Sequence, residues 1–295
     1  MTIKPFVKWA GGKGQLLNEI TKVYPEGLGS TITKYAEPFV GGGAVLFDML
    51  SNFQLEEVYI SDINADLINV YRIIQQNVDE LVTRLQEFQA YYLPLDSEKR
   101  KVYYYEKRAQ FNMLDLGSKL FNVEKAALFI FLNRTCFNGL YRVNKRGLYN
   151  VPMGAYKNPC ICDEANLRAV SKALQGVHMH CAPYEDVLSF VDESTFVYFD
   201  PPYRPLNQTS SFTSYSELEF GDKEQIELAE FAMKLNARGA KLLLSNSDPK
   251  NVDVDDDFFD NLYKDFNINR VQATRMINSK SASRGKISEL LISNY

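Results

Sequence analysis

Between residues 31 and 74 the chain runs strand, glycine turn, helix, strand, helix, and that order leaves few folds open. Residues 31 to 40 lead as a strand into Gly41-Gly42-Gly43, and Ala44 to Leu50 then reads as a helix start. Glu57 to Ile60 gives a second strand that stops at Ser61-Asp62, after which Leu67, Ile68, Tyr71 and Ile74 recur at helical spacing. Strands that alternate with helices are joined by crossovers and lie parallel, with helices covering the sheet.

The pattern returns towards the other end. Thr195 to Phe199 is a compact strand, Gln225 to Leu235 a helix, and Lys241 to Leu244 another strand before Ser245-Asn246. Arg270 to Met276 and Lys286 to Ser293 bracket the polar segment Asn278 to Gly285, which predicts a terminal antiparallel pair joined by a mobile loop. The middle differs: residues 78 to 133 read as mainly helical, with aromatic-rich Tyr103 to Phe111 and the apolar run Ala126 to Leu132. The expected fold is α/β, a doubly wound mixed sheet with an inserted, mainly helical lobe. Residues 1–64 and 164–295 would form the sheet domain and 65–163 the insertion. A chain of 295 residues is long enough to bury such a core.

Charge narrows the partners. A net charge of -4 excludes a uniformly basic surface, yet a groove needs only local excess. From Arg134 to Lys157 the cations Arg134, Arg142, Lys145, Arg146 and Lys157 occur without an acid, whereas Asp253, Asp255, Asp256, Asp257 and Asp260 make an acidic stretch expected to face away from a polyanion. Met1 to Trp9 lacks a signal-like apolar run and no stretch approaches about 18 apolar residues, so a cytoplasmic protein without membrane contact is expected. Cys136, Cys160, Cys162 and Cys181 are expected as buried or free thiols. Cys160, Cys162, His178, His180 and Cys181 fall close together, but their spacing is a poor match to zinc sites, and no metal is expected.

Chemistry concentrates where Asp200-Pro201-Pro202-Tyr203 closes the Thr195 to Phe199 strand. Ligands of open α/β sheets bind beyond the carboxyl ends of strands. There the Asp200 carboxylate can accept one hydrogen of a ring-conjugated amine while a carbonyl of the Pro201-Pro202 turn accepts the other. The nitrogen is thereby drawn towards tetrahedral geometry and its lone pair freed. Proline fixes φ and has no N–H, so the turn is stiff and offers acceptors only. Tyr203 can stack on a flat ring. The glycine turn allows close backbone approach to a cofactor, and Asp62 at the next strand tip suits a ribose diol, although the pattern departs from a dinucleotide fingerprint. Lys8-Trp9-Ala10-Gly11-Gly12-Lys13 resembles half of a phosphate loop without its Ser/Thr, which disfavours ATP hydrolysis.

Taken in order, Lys8 to Lys13, Glu37-Pro38-Phe39-Val40-Gly41-Gly42-Gly43, Ser61-Asp62-Ile63-Asn64, Leu132-Asn133-Arg134 through Tyr156, and Asp200 to Tyr203 resemble the Dam family across nearly the whole chain. That family comprises S-adenosylmethionine-dependent DNA adenine-N6 methyltransferases acting on GATC, with a Rossmann-like methyltransferase fold. The resemblance implies that Trp9, Lys13, Asp62 and Asp200 lie at the cofactor site, with Phe39 and Gly41 to Gly43 at its methionine end. Tyr184 resembles an aromatic position next to the cofactor adenine. Lys8, Leu140, Arg142, Pro152 and Tyr156 match positions that read GATC, and Phe137 and Asn138 the base-flipping neighbourhood; Phe137 stands where some relatives carry Tyr. Lys145, Arg146 and the cations of Lys280 to Lys286 would contact phosphates.

The implied partner is double-stranded DNA containing GATC, with no obligatory protein partner and, in a restriction-modification setting, a companion endonuclease in a bacterial or phage context. Three other readings stay open: methylation of RNA adenine or a cytosine amine with the same tetrapeptide, a catalytically silent DNA-binding regulator, and an α/β domain for another nucleotide. Labelled-methyl transfer separates an enzyme from a regulator.

Overall fold

The computed structural model describes residues 3–117, 121–205, 220–274 and 286–295. Its centre is a seven-stranded mixed sheet of β1 (Lys34–Pro38), β2 (Glu57–Asp62), β3 (His178–Cys181), β4 (Thr195–Phe199), β5 (Lys241–Ser247), β6 (Asn267–Thr274) and β7 (Lys286–Ser293), in the order β3-β2-β1-β4-β5-β7-β6. β1 to β5 pair in parallel, and β7 runs antiparallel to both β5 and β6. The alternating strand and helix pattern and the terminal antiparallel pair are thus both present. Asn278 to Gly285, the connection between the last two strands, lies outside the described residues.

Side-chain alternation divides the core. Along β4, Phe196 and Tyr198 join one apolar cluster and Val197 and Phe199 the other, and in β1 Tyr35 and Ala36 separate in the same way. Every residue of β4 is buried, as a parallel strand covered on both faces should be. The helices are α1 (Leu17–Ile20), α2 (Ala44–Asn52), α3 (Ala65–Gln76), α4 (Val78–Tyr92), α5 (Ser97–Met113), α6 (Val123–Thr135), α7 (Glu164–Ala173), α8 (Asp222–Asn236) and α9 (Phe258–Leu262). α6 is apolar around nearly its whole circumference and buried accordingly; α3, α4 and α5 surround it. α8 packs on the opposite face through Leu228, Phe231, Ala232 and Leu235.

β3 is a strand that the sequence pattern did not reveal. Its four residues at the sheet edge are His-Met-His-Cys, and only Met179 is buried. Periodicity has little to act on there. Among the described residues no group of His, Cys, Asp and Glu could hold a metal ion, and all four cysteines are free thiols, with Cys136 buried and Cys160 exposed. No helix among the described residues is long and apolar enough to cross a membrane.

The strand order fixes where a ligand can sit. From β1 the chain proceeds outward to β2 and β3, then returns to place β4 on the other side of β1. Connections therefore diverge between the carboxyl ends of β1 and β4, and the crevice opens at such a switch point. Phe39 to Gly43 follows β1, and Asp200 to Tyr203 follows β4. The glycine turn and the proline turn face the same crevice because of topology alone.

Candidate active site

Asp200 leaves the tip of β4 with one carboxylate oxygen already held. Lys13 Nζ approaches Asp200 Oδ1 at 2.7 Å and donates a second hydrogen bond, also 2.7 Å, to the Gly11 carbonyl. Ser245, at the neighbouring position on β5, donates to the same Oδ1 at 3.1 Å. Lys13 is 6% and Asp200 20% exposed, so water screens the pair only weakly. Burial pushes the Asp200 carboxyl above its ordinary range, and Lys13 and Ser245 oppose that push. Lys13 Nζ also lies 4.5 Å from the centre of the Tyr203 ring, and the Tyr203 hydroxyl donates to Glu289 on β7 at 2.8 Å. One face of that ring is thus taken by a cation.

Glu37 on β1 is a second acid near this centre. It is buried, accepts from Tyr35 Oη at 2.6 Å, and is pushed up to about 8 by burial and by its proximity to Asp200. Below that value it is neutral, which spares the site two adjacent negative charges. A carboxyl whose folded pKa is raised contributes stability at low pH and loses it as pH rises from its ordinary 4.5 through about 8. The thermal midpoint should fall across this window, and Glu37→Gln should flatten the fall when melts are followed against pH.

The glycine turn is built for close approach. Gly41 has φ 49°, and a Cβ there would lie 2.7 Å from Trp9 Cδ1; Gly43 has φ 71°, with Tyr71 Oη 2.5 Å from the same construction. Tyr71 donates to the Gly41 carbonyl at 3.0 Å, while Asp62 accepts from the Gly41 amide at 3.1 Å and the Asn64 amide at 2.9 Å. A carboxylate offers about four acceptor sites, so Asp62 retains capacity for hydroxyls. Phe39 holds φ 68°, which costs a non-glycine residue roughly 1 kcal/mol or more, and its ring stacks on Tyr184 at 5.4 Å and meets Phe220 edge-on at 5.9 Å. The glycine turn is thus flanked by an aromatic shelf and a half-buried acid. That donor set fits a nucleoside, with rings for the base and Asp62 for the diol.

A third group of residues lies on the lobe side. Trp9 touches the glycine turn and stacks on Tyr141 at 5.7 Å and on Phe129 of α6 at 6.3 Å. Asn133 on α6 binds both the amide and carbonyl of Lys8 and the carbonyl of Gly139, each at 2.9 Å. Those bonds tie the N-terminal segment to the Phe137–Gly139 turn. Lys8 Nζ then reaches Tyr156 Oη at 3.2 Å, and the Phe137 amide donates to the Pro152 carbonyl at 2.9 Å. Lys8, Phe137, Asn138, Arg142 and Pro152 are exposed, and Leu140 and Tyr156 half-buried. Arg142 donates through Nε to Asn150 Oδ1 at 2.7 Å, and its terminal nitrogens have no partner among the described residues. Arg134, by contrast, is spent on the Phe6 carbonyl at 2.8 Å.

Sequence reasoning missed several contributors. Ser245, Asn246, Gln225 and Glu289 carry no motif, and their approach to the Asp200–Tyr203 turn depends on sheet order. A Ser-Asn pair ending the strand beside Asp200 was the available signal. Within the acidic stretch, Asp256 pairs with Arg204 and Asp260 with Lys250 and Arg270. That stretch acts as a set of local partners, one of which anchors the residue after Tyr203. Lys280 and Arg284 lie outside the described residues.

An aromatic shelf, a glycine turn and a carboxylate–proline turn thus meet at one switch point of the sheet. The chain belongs to the family described as D12 class N6 adenine-specific DNA methyltransferase, whose model matches residues 9–277. Its architecture is the Rossmann-like methyltransferase fold of that family. A type II methyltransferase of Methanocaldococcus jannaschii, M.MjaIII, is 53% identical over the full length of both chains. M1.LlaDCHI, a type II methyltransferase of Lactococcus lactis subsp. cremoris, is 37% identical over 100% of this chain and 96% of its own. The DNA adenine methylase of Escherichia coli K12 is 35% identical, covering 98% of this chain and 94% of its own.

Proposed function

We propose that the chain transfers a methyl group from S-adenosylmethionine to N6 of the adenine in duplex GATC after flipping that base. The observation that carries this reading is Asp200 Oδ1 held by Lys13 and Ser245 at the tip of β4, opposite the glycine turn. S-adenosylmethionine, when bound, supplies an electrophilic methyl group on a sulfonium. Trp9, Lys13, Phe39, Gly41, Gly42, Gly43, Asp62, Tyr184 and Asp200 line its site in this reading, with Asp62 on the ribose, Phe39 and the glycines at the methionine end and Tyr184 beside the adenine.

Asp200 and the Pro201 carbonyl each accept one N6 hydrogen. These two acceptors draw the nitrogen towards tetrahedral geometry and free its lone pair for the methyl group that the sulfonium would supply, with the neutral thioether as the leaving group. N6 then sheds one proton to the carboxylate it is bonded to. No cysteine or covalent enzyme intermediate takes part, and the gain comes from position and preorganised charge.

Target choice falls to the 65–163 lobe. Arg142, with its terminal nitrogens free, suits the O6 and N7 edge of guanine, and Leu140 and Pro152 the thymine methyl. Lys8 and Tyr156 read beside them, and Phe137 and Asn138 fill or buttress the gap left by the flipped base. Arg142→Ala should relax choice at one guanine by roughly 1 to 3 kcal/mol, read as the ratio of kcat/KM on matched and singly mismatched duplexes. Unchanged discrimination would count against the assignment.

The family and the DNA adenine methylase relatives support adenine in DNA, and the type II methyltransferase relatives support a companion endonuclease. Incubating unmethylated plasmid with S-adenosylmethionine and enzyme, then digesting with nucleases that distinguish methylated GATC, tests the whole reading. Methyl incorporation without GATC protection would leave the chemistry and sink the target.

A further inference from the structure

The turn after β4 carries four acceptors: the two oxygens of Asp200 and the carbonyls of Pro201 and Pro202. Two of them are occupied by the protein. Asp200 Oδ1 takes Lys13 at 2.7 Å and Ser245 at 3.1 Å, and the Pro202 carbonyl takes Gln225 Nε2, from α8, at 3.1 Å. Asp200 Oδ2 and the Pro201 carbonyl accept no hydrogen bond from the described residues. Pro201 is itself buried, and a carbonyl left open in such a setting calls for a partner that arrives later.

The groups that close the first two acceptors are locked from behind. Tyr198 Oη lies 2.9 Å from Ser245 Oγ; with the Ser245 hydrogen on Asp200 Oδ1 at 3.1 Å rather than on the Phe199 carbonyl at 3.5 Å, Tyr198 donates to Ser245. Gln225 Oε1 accepts from Asn246 Nδ2 at 3.1 Å, while Asn246 Oδ1 accepts from the Ser247 amide at 2.9 Å. Tyr198, Gln225, Ser245 and Asn246 are all buried, so these bonds do not exchange with water. Neither Gln nor Asn can flip its amide without setting donor against donor.

We infer that Ser245, Asn246 and Gln225 are positioning residues for methyl transfer, because they close Asp200 Oδ1 and the Pro202 carbonyl and so leave Oδ2 and the Pro201 carbonyl as the pair that holds the amine. The inference rests on the proposed role of Asp200 and Pro201, and it adds why that pair, among the four acceptors, receives the two hydrogens. An amine has two hydrogens to place. With all four acceptors open it could bind in several orientations, only one of which aims its lone pair at the methyl carbon.

Single-turnover transfer of labelled methyl to unmethylated plasmid DNA, followed along a pH series, tests this without assuming a target sequence. The charged and titratable groups facing Asp200 are Lys13, Glu37, Tyr198 and Tyr203, with Glu289 behind Tyr203. Ser245→Ala should slow the step roughly tenfold, leave KM for DNA unchanged and move the acid limb to higher pH, because a donor to the carboxylate is gone. Ser245→Thr should restore both. Gln225→Met, which removes a donor but no charge, should slow the step by about as much with the limb unmoved.

A parental rate in either Ser245→Ala or Gln225→Met overturns the inference, as does a loss expressed only in KM. If Ser245→Ala does not fold, Tyr198→Phe replaces it; a smaller shift of the limb in the same direction is expected, and no shift overturns the inference. Asp200→Ala is run alongside. Should it stay active, the role of Asp200 itself fails; should it be inactive while the other variants match the parent, the positioning role alone fails.

Discussion

Asp200→Ala is expected to abolish methyl transfer while leaving a folded protein that still binds DNA. The expected loss is roughly a thousandfold or more, combining a charge-assisted hydrogen bond with the loss of the orientation it enforces. DNA binding should survive because the exposed residues proposed to meet DNA, Lys8, Phe137, Arg142 and Pro152, form no hydrogen bond or ion pair with Asp200. Lys13 loses a partner but keeps the Gly11 carbonyl and the Tyr203 ring, so the turn need not collapse. Labelled-methyl incorporation and a gel-shift titration measure the two halves. Turnover within tenfold of the parent would remove Asp200 from the chemistry; lost binding would show that the substitution damaged more than the site.

Much of this site was legible because its parts are local. A strand that ends in Asp-Pro-Pro-Tyr, a glycine run after another strand and an acid at the tip of a third are each short segments with strong backbone preferences. Their convergence followed from the rule that places ligands at the carboxyl ends of parallel strands. What could not be read depends on neighbours brought from far along the chain. Lys13 was assigned to the cofactor, and its ion pair with Asp200 emerges only once the N-terminal segment is packed against β4. Ser245 and Asn246 were read as the end of a strand, and they matter because β5 is the strand that lies beside β4. β3 escaped because a four-residue edge strand with one buried side chain has no period to detect. The acidic stretch was legible as charge but not as pairing, which is a property of the folded surface.

The lobe shows the same division between local signal and tertiary consequence. Arg142 and Pro152 were recognisable as segments, while the bond that Arg142 Nε donates to Asn150 Oδ1 depends on the Val143–Tyr149 bridge that brings the two sides of the hairpin together. Asn133 has a similar standing. Its amide fastens Lys8 to Gly139 and so sets a residue proposed to read DNA against the turn that carries Phe137. Trp9 lies between the glycine turn and Tyr141, the neighbour of Arg142, so the glycine turn and the hairpin share one packed side chain.

Lys13→Met should be the most damaging change after loss of Asp200 itself, and its signature is a displaced pH profile. Methionine keeps much of the volume of lysine, so the N-terminal turn can pack, but the buried carboxylate loses the cation 2.7 Å away. Burial already pushes the Asp200 carboxyl up, and Lys13 is the largest influence pulling it down. Removing it raises the folded pKa further. The ionised carboxylate is the stronger acceptor and the only form that can take up the amine proton, so activity is present above that pKa and lost as pH falls through it; the acid limb of the variant must therefore lie at higher pH than that of the parent. At neutral pH the rate should drop roughly a hundredfold, and raising the pH should recover part of it, which no loss of folding would do. Tyr203 also loses the cation above its ring, so recovery should stay incomplete. An acid limb at the parental position would mean that Lys13 serves the cofactor alone and that Ser245 suffices to hold the carboxylate.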